Sequence, residues 1–200
     1  MEAVLLIGAY LVGAVPFGLV IGRLAGVDVR SAGSGNIGAT NVGRLLGRKL
    51  GLLTLAADVA KGVLPMVMAG WLVDDASRHD VVVALCGAAA FLGHLFPVYL
   101  KFRGGKGVAT ALGIFVYLTP LAALAAAALF VTVVYNWGYV SLGSLSAALF
   151  MPGLVWLIYR DPTAALLALV LGALIWLKHR DNIGRLMRHE EKSWRRQDQP

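Results

Sequence analysis

The residues best suited to chemistry gather in three polar stretches. The run GHLFPVYLKFRGGKGVAT (93–110) packs three cations, Lys101, Arg103 and Lys106, among three glycines, Gly104, Gly105 and Gly107. Glycines let backbone N–H groups approach an anion, and a helix starting just beyond would aim its positive end at the same spot. Lys106 adds a point charge. The spacing is not that of a Walker A loop: residue 100 is Leu, and Lys106 is followed by Gly107 rather than Ser or Thr. Phosphate binding is therefore expected here and nucleotide hydrolysis is not. A plain basic loop between membrane segments would account for the cations but not the glycines.

The second stretch, SAGSGNIGATNVGRLLGRK (31–49), contains a formal G-x-G-x-x-G at Gly33, Gly35 and Gly38. A dinucleotide fold needs a strand before this motif, and a hydrophobic segment of membrane length precedes it instead. The useful content is the small polar residues Ser34, Asn36, Thr40 and Asn41 ahead of an amphipathic helix. Thr40, Arg44 and Arg48 recur every four residues and are expected to share a face of that helix. Hydroxyl, amide and guanidinium donors in one place suit a phosphate. The alternative is a solvated interfacial helix behind a glycine loop.

The third stretch is KHRDNIGRL (178–186), where His179 and Asn182 stand three apart. A histidine beside an amide can act as a base or hydrogen-bond a substrate hydroxyl, or merely belong to a basic flank. Ser141 and Ser144 could contribute hydroxyls. His94 reads as a ligand residue or a satisfied helix histidine. Asp58 and Lys61, also three apart, lie in a hydrophobic run, where a charge costs roughly 2.5–3.5 kcal/mol on insertion scales. They are read as structural support for the site.

The elements that must position these residues are membrane helices. The chain of 200 residues is 58% hydrophobic and 14% charged, with mean hydropathy +0.74. Several apolar runs reach the ~20 residues needed to cross a bilayer. The expected class is an all-α, polytopic integral membrane protein, read as one domain over 1–200 with a basic tail at 178–200. Spans are expected at 3–22, 50–73, 81–100, 108–118, 120–135, 140–159 and 163–177. The fourth and fifth could be a single run, but Thr119–Pro120 offers a turn near its middle. Seven crossings place fifteen of the eighteen Lys and Arg on one side, which makes that side cytoplasmic, with the N-terminus outside. The net charge of +7 then reads as topology and anionic ligands rather than nucleic acid. The lone Cys86 sits in an apolar run as a packing residue, and no zinc-type spacing occurs.

These motifs resemble those of the bacterial integral-membrane acyl-phosphate:glycerol-3-phosphate acyltransferases. The matching pieces are SGNIGATN (34–41) with Arg44, the D-x-x-K-G of residues 58–62, the 93–110 block, and HRDNIGRL (179–186). The resemblance implies seven helices in the bacterial inner membrane, a cytoplasmic active site, and no cofactor or metal. The reaction it implies moves a fatty acyl group from acyl-phosphate to the 1-hydroxyl of glycerol 3-phosphate. It implies that Ser34, Thr40, Asn41, Gly104, Gly105, Lys106 and Gly107 hold acyl-phosphate. Arg44, Arg48, Ser141, Ser144, His179 and Asn182 are expected to hold glycerol 3-phosphate, with His179, Asn182, Lys106 and Ser34 the catalytic set. Asp58, Lys61, His94 and Glu191 would support the site. The partners implied are the two substrates and the bilayer; the basic face also offers a place where an acyl-phosphate-producing enzyme could dock, which the sequence does not decide. One departure is His189, where the family has Gly shortly before the acidic residue.

An acyl-phosphate is an activated mixed anhydride, so no protein nucleophile is needed. The enzyme must hold two anions together and aim a hydroxyl at a carbonyl. His94 is not followed by the H-x-x-x-x-D pattern of the thioester-dependent acyltransferases. A transporter of a phosphorylated anion would also use a basic face and an intramembrane ion pair. Transporters usually carry internal repeats, and none is evident.

Overall fold

The computed structural model describes residues 1–195, so Arg196, one of the cations counted for the tail, lies outside the described residues. Ten α-helices account for most of the described chain: α1 (Glu2–Ala14), α2 (Phe17–Leu24), α3 (Ala39–Leu46), α4 (Arg48–Leu72), α5 (His79–Leu95), α6 (Val108–Leu118), α7 (Pro120–Trp137), α8 (Val140–Tyr159), α9 (Pro162–Lys178) and α10 (Arg180–Met187). The chain falls into two compact units, Met1–Tyr117 and Leu118–Pro200.

Among the described residues, five helical stretches are long and apolar enough to cross a membrane: Glu2–Leu24, Arg48–Leu72, His79–Leu100, Pro120–Trp137 and Val140–Tyr159. The pair α9 and α10, bent by 61°, adds a sixth if it counts as one span. The run 108–135 divides at Thr119, as Pro120 favours: Pro fits the first turn of a helix and has no N–H to extend the one before. The 11 residues of α6 rise only ~16 Å, about half of a hydrocarbon core.

In the first unit, α1 packs on α5, α5 on α4, and α3 on α4. Helices meet closely where side chains are smallest. Gly13 of α1 lies against the Ala90 backbone of α5, and Gly93 of α5 lies against the carbonyl of Tyr10. Gly62 of α4 meets the Thr110 carbonyl of α6, and Gly113 meets that of Val59. This small-residue packing suits helices in lipid, where van der Waals fit rather than water exclusion holds them together. The first apolar run is not one straight helix. Pro16 interrupts it, and the Val15 carbonyl beside the break accepts from the Phe17 amide at 3.1 Å and from Lys61 Nζ at 3.0 Å.

In the second unit, α8 packs against both α7 and α9. Gly172 of α9 approaches the Ala148 carbonyl. Asp161 caps α9, its carboxylate accepting from the Thr163 and Ala164 amides. Beyond α10 the tail turns back. The Trp194 amide donates to the Gly138 carbonyl at 3.0 Å, and its indole N–H to Val134 O at 3.1 Å.

Candidate active site

The glycine-rich loop ahead of α3 is anchored from below by a small apolar cluster of Leu19, Val29, Ile37 and Val42. Its polar organiser is Asn41, which is 1% exposed. The Asn41 amide donates to the carbonyls of Val29 (2.8 Å), Asn36 (2.9 Å) and Ala32 (3.2 Å), and its oxygen accepts from the Ser34 amide at 2.8 Å. Both ends of the side chain are thus committed inside the loop. In this arrangement Asn41, expected to hold an anion, shapes the loop that presents Ser34. Gly33, with φ +65°, leaves room for the Asn41 oxygen where a Cβ would collide with it. Ser34 and Thr40 are exposed and Arg44 is half-buried.

Thr40, Arg44 and Arg48 do not share one helix. Gly47, at φ +88°, ends α3 after Leu46, and Arg48 is the first residue of α4. The four-residue spacing crosses a break that glycine permits because φ > 0 costs it nothing. Arg44 therefore belongs to α3 and Arg48, which is exposed, to the next element.

The 93–110 block also differs from its expected form. The amides of Gly104 and Gly105 donate to Leu95 O (3.2 Å) and His94 O (3.0 Å). They satisfy the last carbonyls of α5, which a helix end otherwise leaves open. In this arrangement the two N–H groups expected to face an anion are paired within the protein. A Cβ on Gly104 would strike the His94 carbonyl, and one on Gly105 would strike the His94 ring. Lys106 follows, then Gly107 at φ +86° and the first turn of α6. Thr110, fully buried one turn into α6, has a hydroxyl with no hydrogen-bond partner among the described residues.

Beneath this loop, buried in the first unit, Lys61 Nζ lies 2.8 Å from Asp58 Oδ1, and His94 Nδ1 lies 3.8 Å from the same oxygen. Tyr10 ties the end of α5 to α1, its hydroxyl donating to Phe96 O at 2.7 Å. No spacing rule relates Tyr10 to Phe96, so sequence reasoning missed it.

In the second unit, His179 sits at the corner between α9 and α10, 3% exposed. Its Nδ1 is 2.8 Å from Ile175 O. A carbonyl only accepts, so Nδ1 carries the proton, and in the neutral ring Nε2 holds the lone pair. Asn182, 6% exposed, donates to Glu191 Oε1 at 2.6 Å. Ser141 donates to the same oxygen at 2.8 Å, and Arg185 Nε to Oε2 at 2.7 Å. Burial alone would raise the Glu191 pKa, but the hydrogen bonds from Asn182, Ser141 and Arg185, with the charge of Arg185, outweigh it and hold the carboxyl below the ordinary glutamate range. Glu191 is thus a hub. The Ser141 hydroxyl proton is spent on Glu191, and that of Ser144 on Val140 O at 2.9 Å. Both hydroxyls, expected to bind glycerol 3-phosphate, here donate within the protein and keep their oxygens as acceptors. His189, standing where a glycine was expected, takes φ +58°. It adopts the backbone shape glycine would supply, and Glu191 still reaches its three donors.

The glycerol-3-phosphate acyltransferase family profile matches residues 3–189. A glycerol-3-phosphate acyltransferase of Geotalea daltonii is 48% identical over 195 residues, covering 98% of each chain. That of Myxococcus xanthus is 49% identical over 193 residues, covering 96% of this chain and 99% of its own. The crystal structure of PlsY (YgiH), an integral membrane glycerol 3-phosphate acyltransferase in its glycerol 3-phosphate form, superposes with a TM-score of 0.90 at 40% identity, covering 96% of this chain and 95% of that one. The lysophosphatidic acid form gives 0.88. The motifs, the all-helical membrane fold and these relatives together establish that the chain belongs to the bacterial PlsY-type acyl-phosphate:glycerol-3-phosphate acyltransferase family.

Proposed function

We propose that this multi-pass inner-membrane enzyme makes lysophosphatidic acid by direct attack, with His179 as the base. The 1-hydroxyl oxygen of glycerol 3-phosphate bonds to the acyl carbonyl carbon, and the carbon–oxygen bond to phosphate breaks. Inorganic phosphate leaves with the electron pair. The hydroxyl proton passes to His179 Nε2, or to an oxygen of the departing phosphate. The observation that carries the histidine route is the Nδ1–H bond to Ile175 O at 2.8 Å, which leaves Nε2 as the basic nitrogen. If His179→Ala kept nearly full kcat at neutral pH, the base would be the phosphate instead. A kinetic pKa that vanishes in the variant supports the histidine.

For the acyl-phosphate, Lys106 supplies the charge, with the first-turn amides of α6 and the hydroxyls of Ser34 and Thr40. In-place donors of this kind stabilise charge that develops on the leaving phosphate. Arg44 and Arg48 bind the phosphate of glycerol 3-phosphate, and Asn182 acts on its glycerol portion. Two anions otherwise repel, and fixed cations offset that repulsion. Lys106→Met should abolish phosphate release from the two substrates; Arg44→Lys, which loses bidentate geometry, should raise KM for glycerol 3-phosphate. Liposome uptake of a phosphorylated anion without acyl transfer would instead favour a transporter.

The proposed topology has seven crossings, with α6 as a half-length one, the N-terminus outside and the C-terminus and active site in the cytoplasm. It rests on the clustering of fifteen Lys and Arg on one side. Cysteine labelling at residues 49 and 192 from outside intact cells tests it. Both units are assigned to one acyltransferase domain because the family profile runs from residue 3 to 189. The basic cytoplasmic face also suits docking of an enzyme that produces acyl-phosphate, which co-purification at low salt would detect.

A further inference from the structure

His94 fulfils no step of the reaction above, yet it is 4% exposed and lies between an ion pair and the loop that carries Lys106. On one side its Nδ1 is 3.8 Å from Asp58 Oδ1. Asp58 is held by Lys61 at 2.8 Å, and Lys61 is tied to the Val15 carbonyl at 3.0 Å. On the other side the ring meets Gly105. The three atoms nearest to where a Gly105 Cβ would stand are Nε2, Cε1 and Cδ2 of this imidazole, the last two at 2.7 and 3.1 Å.

Gly105 is not glycine for its backbone shape, because it is not among the residues with positive φ. Nor does its amide wait for an anion, since that N–H donates to His94 O at 3.0 Å. We propose that His94 is a positioning residue: its imidazole is a strut between Asp58 and Gly105 that sets the height of Lys106, and Gly105 is glycine because the ring fills the place of a side chain. The proposal rests on the reading that Lys106 holds the acyl-phosphate. Gly104 provides the contrast. A Cβ there would meet the His94 carbonyl, Pro97 Cδ and the Leu95 carbonyl carbon, which no change of the His94 side chain can move.

The test is a double-mutant cycle on the full-length enzyme in detergent, reading phosphate release with acyl-phosphate and glycerol 3-phosphate varied separately. Gly105→Ala should lower kcat/KM for acyl-phosphate by about 100-fold, since misplacement by about 1 Å costs that much. His94→Ala alone should cost about 10-fold, chiefly in KM for acyl-phosphate, with KM for glycerol 3-phosphate unchanged. The two are in contact, so their effects should not add: Gly105→Ala/His94→Ala should recover at least about 10-fold over Gly105→Ala. Gly104→Ala/His94→Ala should recover nothing over Gly104→Ala. If the alanine background does not accumulate, His94→Asn repeats the cycle, shortening the side chain while keeping a polar group towards Asp58. Absence of recovery in both backgrounds, or equal recovery at Gly104, overturns the proposal. Lys106→Met judges the underlying reading separately: if it keeps full activity, acyl-phosphate is not held there, whatever the cycle shows.

Discussion

Replacing Glu191 with Ala is the sharpest test of how the tail is built into the second unit. The carboxylate accepts from Ser141, Asn182 and Arg185 at 2.8, 2.6 and 2.7 Å. Ser141 and Asn182 are each 6% exposed, so each would be left as a buried donor without its acceptor, at about 1–3 kcal/mol. Arg185 has 34% of its side chain exposed and can turn to water, so its loss adds little. The cost is roughly 2–6 kcal/mol, and the lower bound alone raises the open population about 30-fold. Trypsin cleavage after Lys192 and exchange of the Trp194 amide, which donates to Gly138 O, should both accelerate by at least about that factor. The kcat should fall with them, because Asn182 loses its anchor. The pH dependence follows from the same contacts. The folded pKa of Glu191 lies below its ordinary 4.5, so its contribution is fully present above 4.5 and is lost as pH falls through the lower folded value. Glu191→Gln should lack that acid limb. Tail cleavage within about threefold of the parent, with kcat unchanged, would refute the hub.

Three further outcomes are expected. Asn41→Asp replaces an amide donor with oxygens facing three carbonyls, so melting temperature and kcat should fall together; a KM effect at unchanged melting temperature would return Asn41 to the anion site. His189→Gly relieves a left-handed φ of +58° on an exposed residue and should stabilise the tail by about 0.5–1 kcal/mol, read as slower cleavage after Lys192. Asp58→Asn should destabilise by about 3–5 kcal/mol by leaving Lys61 buried without its counter-ion, whereas Asp58→Asn/Lys61→Met should cost much less, which thermal melting in detergent resolves.

Membrane helices were legible because their signal is local. Runs of the right length and the turn at Thr119–Pro120 read directly from hydropathy and proline chemistry. The breaks at Pro16 and Gly47 were harder. Pro65 and Pro152 stay inside α4 and α8, so a proline alone does not fix a break, and distant partners contribute: Lys61 adds a second donor to the Val15 carbonyl, which already accepts from the Phe17 amide. The docking of Trp194 on Gly138 joins residues 56 apart with no periodic relation, so nothing in the tail's composition announces it.

The glycines mark the deeper limit. A glycine in a phosphate-type loop is compatible with three physical demands: a positive φ, close approach of an anion, or close approach of the protein itself. The residue type is the same for all three. Gly107 meets the first, with φ +86°. Gly104 and Gly105 meet the third, since their amides complete the end of α5 and their missing side chains admit the His94 carbonyl and ring. On the proposed reading, the part of the loop that faces the anion then starts two residues later than the glycine pattern suggests, at Lys106 and the first turn of α6. That shift has a physical reason. The last carbonyls of α5 belong to buried residues, His94 and Leu95, and a buried helix end needs donors, which the loop supplies from its own Gly105 and Gly104 amides. A glycine-rich motif at a membrane helix end first completes the helix, and the donors left for chemistry are those beyond it.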